Sequence, residues 1–135
     1  MHFSIHKIDK MTGIEFEDYL KLQFCALGFL VSTTKVSGDY GADLILQMKN
    51  TKIAVQAKRY QGKIGVKAIQ EVIGSMAYYE TEKGLVVTNS TYTQNAENLA
   101  QVNDVVLWDR DVLVRLIANE NMSGYLCELF ENSHC

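Results

Sequence analysis

The chain reads as an α/β protein, a mixed β-sheet with α-helices on both faces, and three observations carry that reading. Two extended runs, residues 43–48 and 52–58, flank a polar Asn50-Thr51 pair and read as an antiparallel hairpin. Leu85-Val86-Val87-Thr88 is short and almost wholly apolar, as expected of a buried parallel strand reached by a helical crossover. Segments with helical periodicity separate the extended ones, which places helices on the two faces of one sheet.

Taken in order, Thr12-Gly13-Ile14-Glu15 is a capping box that opens a helix running to about Leu27. Phe16, Leu20, Phe24 and Leu27 form its buried stripe, and Gly28 closes it where a left-handed residue is wanted. An extended stretch at 29–34 leads into a glycine-containing loop, Ser37-Gly38-Asp39-Tyr40-Gly41-Ala42, and then into the hairpin. A second helix is predicted over 66–79, with Ile69, Val72, Ile73 and Met76 on one face. After the apolar strand come a helix at 93–102, a strand at 105–108 and a helix at 111–118. Residues 123–130 add a further turn or two.

At 135 residues, 47% hydrophobic and 21% charged, the chain has the composition of an ordinary globular domain rather than a disordered one. Zero prolines and no low-complexity stretch leave no linker, so a single domain over 1–135 is expected. No apolar run approaches the ~20 residues that span a bilayer, which speaks against a membrane partner. The first ten residues mix His, Lys and Asp and lack a signal-peptide core, so a cytoplasmic location is expected.

The net charge of −3 argues at first against a nucleic-acid partner, but the distribution of charge points the other way. Between Leu44 and Gln70 there is no Asp or Glu, while Lys49, Lys52, Lys58, Arg59, Lys63 and Lys67 give that window +6 and leave −9 elsewhere. A local basic patch on an acidic protein can supply phosphate contacts. A solvated, lysine-rich hairpin is the plainer alternative.

The hairpin also fixes which side chains share a face. A turn at Asn50-Thr51 sets Asp43 across from Lys58 and Ile45 across from Gln56, so Asp43, Gln56 and Lys58 point the same way. A one-residue slip would destroy that arrangement. A carboxylate and an amide oxygen are hard ligands suited to Mg²⁺, and a lysine beside them can orient water or offset developing charge. Spacing alone equally allows a cross-strand Asp43–Lys58 salt bridge worth ~0.2–1 kcal/mol. Helix phase adds Glu17, on the edge of the first helix's buried stripe, whereas Glu15 is accounted for by its capping role. By the same phase, Gln70 borders the buried face of the second helix and Glu71 turns away.

Six ordered motifs then carry a resemblance. Gly13-x-Glu15-Phe16-Glu17, Ser37-Gly38-Asp39-x-Gly41-Ala42-Asp43 and Val55-Gln56-Ala57-Lys58-Arg59-Tyr60 are followed by Val66-x-x-Ile69-Gln70-Glu71, Val86-Val87-Thr88-Asn89 and Leu107-Trp108-Asp109. Together they resemble the Mrr-type catalytic domain of the restriction-endonuclease-like superfamily, over about 12–117. The resemblance implies a restriction-endonuclease-like sheet core and metal-dependent DNA endonuclease activity. It implies Mg²⁺, with Mn²⁺ as a substitute, held by Asp43, Gln56 and Glu17, and Lys58 as the catalytic lysine. DNA contacts are expected from Lys49, Lys52, Arg59, Lys63, Lys67 and Gln70, with Tyr40 and Tyr60 beside the site. Duplex cleavage needs two sites, so a homodimer is expected. Members usually carry a separate recognition domain, and 135 residues leave no room for one, which points to loops or a separate specificity partner. Gln56 stands where the wider superfamily has Glu, although the Mrr branch commonly has Gln. A catalytically weak DNA-binding module and a junction-resolving nuclease are the alternatives.

Overall fold

The computed structural model describes residues 3–34 and 43–130. Its elements run α1 (Ile5–Asp9), α2 (Gly13–Ala26), β1 (Leu30–Thr33), β2 (Leu44–Met48), β3 (Thr51–Lys58), α3 (Val66–Tyr79), β4 (Lys83–Thr88), α4 (Gln94–Val102), β5 (Val105–Trp108), α5 (Arg110–Ile117) and α6 (Ser123–Cys127). The five strands form one sheet in the order β1-β2-β3-β4-β5. Pairing is antiparallel from β1 to β3 and parallel from β3 to β5, so the sheet is mixed as expected.

Alternation along the strands divides the core. Leu44, Leu46, Ile53, Val55, Leu85 and Val87 pack with Phe16, Leu20 and Phe24 of α2 and with Ile8, Leu113 and Leu116. Ala54, Val86 and Val105 face the other way, against Ala68, Ile69 and Val72 of α3 and Ala96 and Ala100 of α4. Helices therefore cover both faces, and β3, at the centre of the sheet, is closed off on each side.

Local chemistry explains most element ends. The Thr12 hydroxyl accepts from the Glu15 amide and the Glu15 carboxylate accepts from the Thr12 amide, the reciprocal capping box. Gly28 sits at φ 103°, the left-handed exit that a side chain would strain. α3 crosses β4 so closely that a Cβ on Gly84 would lie 2.9 Å from the Met76 sulfur. The short α1 was not expected: five residues carry too little periodicity to register.

The hairpin departs from its predicted register. Lys49 takes φ 54° and forms the turn with Asn50, one position earlier than predicted, so Ile45 faces Ala54 rather than Gln56. The slip is two residues. Because side chains alternate with period two, the shared face survives.

The C-terminal ends of β3 and β4 are tied to α1 and α5 by a polar clasp. Arg110 grips Asp9 with two hydrogen bonds of 2.7 and 2.9 Å and donates a third, of 3.0 Å, to the Asn89 carbonyl. The Asn89 side chain donates to Asp9 at 2.9 Å and accepts from the Tyr60 amide at 2.8 Å. The Thr88 hydroxyl donates to the Lys58 carbonyl at 2.6 Å, so the backbone on both sides of Arg59 is pinned. The bond from Arg110 and the one from Asn89 together outweigh burial and hold the Asp9 carboxyl down at about 2. A depressed acid contributes stability above its ordinary 3.8, and the contribution disappears as pH falls toward 2. Arg110→Met is expected to cost about 1.5–3 kcal/mol at neutral pH, read as a lower urea midpoint, with the deficit shrinking in strong acid.

Candidate active site

Asp43 stands immediately before β2, and the backbone of β3 holds it in place. Its amide donates to the Val55 carbonyl at 2.7 Å, and its Oδ2 accepts from the Ala57 amide at 2.7 Å. That fixes the carboxyl between the side chains of Gln56 and Lys58 along β3. Glu17 arrives from α2, in the opposite layer, and hydrogen-bonds the Asp43 carboxyl. The edge position expected from helix phase is the observed one: Glu17 is half-buried while Glu15 is exposed in its cap.

Two carboxyls this close disturb each other. Desolvation, followed by the charge and hydrogen bond of Asp43, pushes Glu17 up to about 7. Burial also raises Asp43, against the opposing pull of the Ala57 amide and the Lys58 charge. The pair therefore favours holding a proton, or a cation in its place. The fold keeps a proton that the unfolded chain releases, so stability declines as pH rises from about 4.5 to about 7. In EDTA the melting temperature is expected to drop across that window. Excess Mg²⁺ should flatten the decline, since a cation favours the ionised pair.

Gln56 is 5% exposed, with its Nε2 donating to Glu71 Oε1 at 3.3 Å. Its Oε1 is buried without a hydrogen-bond partner. An orphaned buried carbonyl costs about 1–3 kcal/mol, and beside two carboxyls a cation is the ligand that would satisfy it. The donors thus fit a hard divalent ion: Glu17, Asp43 and the Gln56 oxygen. Among the described residues no group of three or more His, Cys, Asp or Glu is placed to hold a metal, as a set with two acids and one amide entails.

Lys58 lies on the same face, 3.6 Å from Glu71 Oε1. Its ion-pair partner is thus Glu71 rather than the Asp43 that a simple cross-strand bridge would use. Glu71 is the residue that helix phase misplaces. The buried face of α3 is Ala68, Ile69, Val72 and Ser75, which sets Glu71 on its edge and leaves Gln70 exposed and pointing outward. Small residues at 68 and 75 give no strong apolar signal, so the predicted face is centred one residue too far along.

The expected basic patch is divided. Lys49 is exposed at the hairpin tip, and Lys52 caps the far end of α3, its Nζ donating to the Tyr79 carbonyl at 3.2 Å. Lys52 is six positions from Lys58 along β3, about 20 Å, so Lys49 and Lys52 lie at the other end of the sheet. Arg59 alternates to the opposite face and donates to the Asp9 carbonyl at 3.2 Å. Lys63 and Lys67 remain beside the site, lining with Lys58, Tyr60 and Glu71 a cavity of about 260 Å³ at the start of α3. The loop with Ser37, Gly38 and Tyr40 lies outside the described residues. Asp9, Asn89 and Arg110 border a second cavity of about 350 Å³ that Tyr60 shares. No spacing in the sequence announces Asp9 or Arg110 as partners.

A mixed sheet bearing an acid, an amide and a lysine at one strand end, with a further acid from the preceding helix, defines a domain of the restriction-endonuclease-like class. The chain belongs to the Mrr-type catalytic family of that class, whose profile, described as restriction endonuclease, matches residues 8–117. The type IV methyl-directed restriction enzyme EcoKMrr of Escherichia coli strain K12 is 36% identical over 99 residues, covering 70% of this chain and 32% of that enzyme. The chain thus spans about a third of the length of the curated relative it matches. Among solved structures, the DNA modification-dependent restriction endonuclease AspBHI superposes with a TM-score of 0.69 at 22% identity, over 85% of this chain and 34% of that one. MspJI restriction endonuclease, solved with a 27-mer oligonucleotide, gives 0.51 at 16% identity, over 90% and 32%. At those identities the structures speak for the fold.

Proposed function

We propose that this chain is a Mg²⁺-dependent DNA endonuclease domain, with Mn²⁺ able to substitute. The observation that carries the reading is the unpartnered, buried Gln56 oxygen, on a residue that shares its strand end and face with Asp43 and Lys58. Glu17, Asp43 and Gln56 would hold the ion. Bound there, it would supply Lewis acidity toward a phosphoryl oxygen and lower the pKa of an attacking water.

The protein's own residues do the rest. Lys58 directs its ammonium at the reacting phosphate, orienting water and offsetting charge as the phosphoryl oxygens become more negative. Lys63 and Lys67 contact phosphates flanking the cut and draw the backbone along the start of α3, a salt-sensitive and sequence-independent affinity. The clasp through Asn89 and Thr88 keeps the end of β3 from fraying, which holds Lys58 at a fixed height above the sheet. One site cuts one strand, so cutting a duplex calls for a homodimer. The location that suits this work is the cytoplasm.

The test is incubation with supercoiled plasmid in Mg²⁺, in Mn²⁺ and in EDTA, with methylated and unmethylated plasmid compared. Nicking in either metal and none in EDTA is the expected result. Cleavage that persists in EDTA would sink the metal mechanism, and tight binding without cleavage in any metal would favour a binding module.

A further inference from the structure

Glu71 lies outside the strand motif, yet among the described residues its side chain is the one that touches both Gln56 and Lys58. We propose that it is a positioning residue, fixing which end of the Gln56 amide faces the metal and aiming the Lys58 ammonium. The inference rests on the nuclease reading above and deepens it.

Gln56 is buried, and the two ends of its amide differ: Nε2 donates, Oε1 only accepts. Glu71 Oε1 lies 3.3 Å from Nε2, and the strand register brings Asp43 alongside Gln56 on the same face, so an acid stands on the helix and another on the neighbouring strand. Turned round, the amide would set its oxygen against the Glu71 carboxylate and leave Nε2 toward the metal side, where it can ligate nothing. Glu71 therefore selects the orientation in which Oε1 is left free. The same carboxylate oxygen lies 3.6 Å from the Lys58 Nζ, so one atom governs both strand residues. A strand glutamate at position 56 would have no use for it, because two carboxylates would then meet where a donor and an acceptor meet now. Gln56 and Glu71 thus act as a matched pair, with the negative charge on the helix rather than on the strand.

The test is a swap, run on the full chain. Gln56→Glu places two carboxylates together, Glu71→Gln removes the helix charge, and the double variant exchanges amide and acid with no change in net charge. Plasmid nicking, Mn²⁺ affinity by calorimetry without DNA, and melting temperature are read for all four proteins. Each single variant is expected to lose about tenfold or more in nicking, and Glu71→Gln to bind Mn²⁺ more weakly as well. The double variant should recover at least about tenfold over Gln56→Glu, the size of coupling that contacting residues show. Should Gln56→Glu fail to fold, Gln56→Met carries the cycle. Glu71→Gln then weakens Mn²⁺ binding in the native background and leaves it unchanged in the Gln56→Met one. Independent effects, with Glu71→Gln costing the same fold in both backgrounds, overturn the inference while leaving the nuclease reading intact. A native chain that neither nicks DNA nor binds Mn²⁺ overturns the nuclease reading, and this inference with it.

Discussion

Lys58→Ala is expected to slow plasmid nicking by about 10²–10³-fold, the usual loss when one preorganised charge donor is removed from a site. Stability should hardly change. Lys58 is 37% exposed and its single ion pair, to Glu71, is 3.6 Å long, a contact of the kind worth about 0–1 kcal/mol. Mn²⁺ affinity should also survive, since lysine is not among the proposed ligands and its charge opposes a cation. Activity, melting and metal binding measured on one preparation therefore separate a catalytic lysine from a structural one. A variant that still nicks at near the native rate would remove Lys58 from the chemistry.

Asp43→Asn should move activity and stability in opposite directions. Metal-dependent nicking is expected to fall by at least about 10³-fold, because the substitution removes one of the two proposed anionic ligands. The asparagine oxygen can still accept from the Ala57 amide, so the local backbone is kept. Burial, the larger cause of the raised Glu17 pKa, stays, but the added repulsion from the Asp43 charge is lost at the same time. In EDTA near pH 8 the variant should melt higher than the native chain, and near pH 5, where Glu17 already holds its proton, the two should converge. This is the familiar trade in which a functional site holds like charges together at the expense of stability. A variant less stable at both pH values would show that Asp43 serves the fold.

How much of the fold and the site is legible in the sequence depends on which physical signal each element carries. The α2 boundaries are legible because Thr12, Glu15 and Gly28 are chemically specific to helix ends. The pairing of Asp43, Gln56 and Lys58 on one face is legible despite a misplaced turn: the turn lies one residue earlier than predicted, and the even slip restores the face. Glu71 is not legible, because the face of α3 is set by Ala68 and Ser75, small residues that fit under a close helix–sheet contact without looking apolar. The scattered lysines show the limit of a linear charge count. Lys49 and Lys52 are near Lys58 in sequence, but an extended strand carries them away from it. The Asp9–Arg110 clasp has no linear signature at all.

That clasp also has a consequence in time. Asp9 and Arg110 are 101 positions apart, and Asn89, which joins them, is 80 positions from Asp9. At about 5–20 residues per second, translation separates the first of these groups from the last by roughly 5–20 s. During that interval the Asp9 carboxylate lacks the Arg110 guanidinium that grips it, and Asn89 can make only its own single bond to it. The clasp can therefore close only after Arg110 has been made, which sets its closure among the last events in the folding of a chain whose first helix is made at the start.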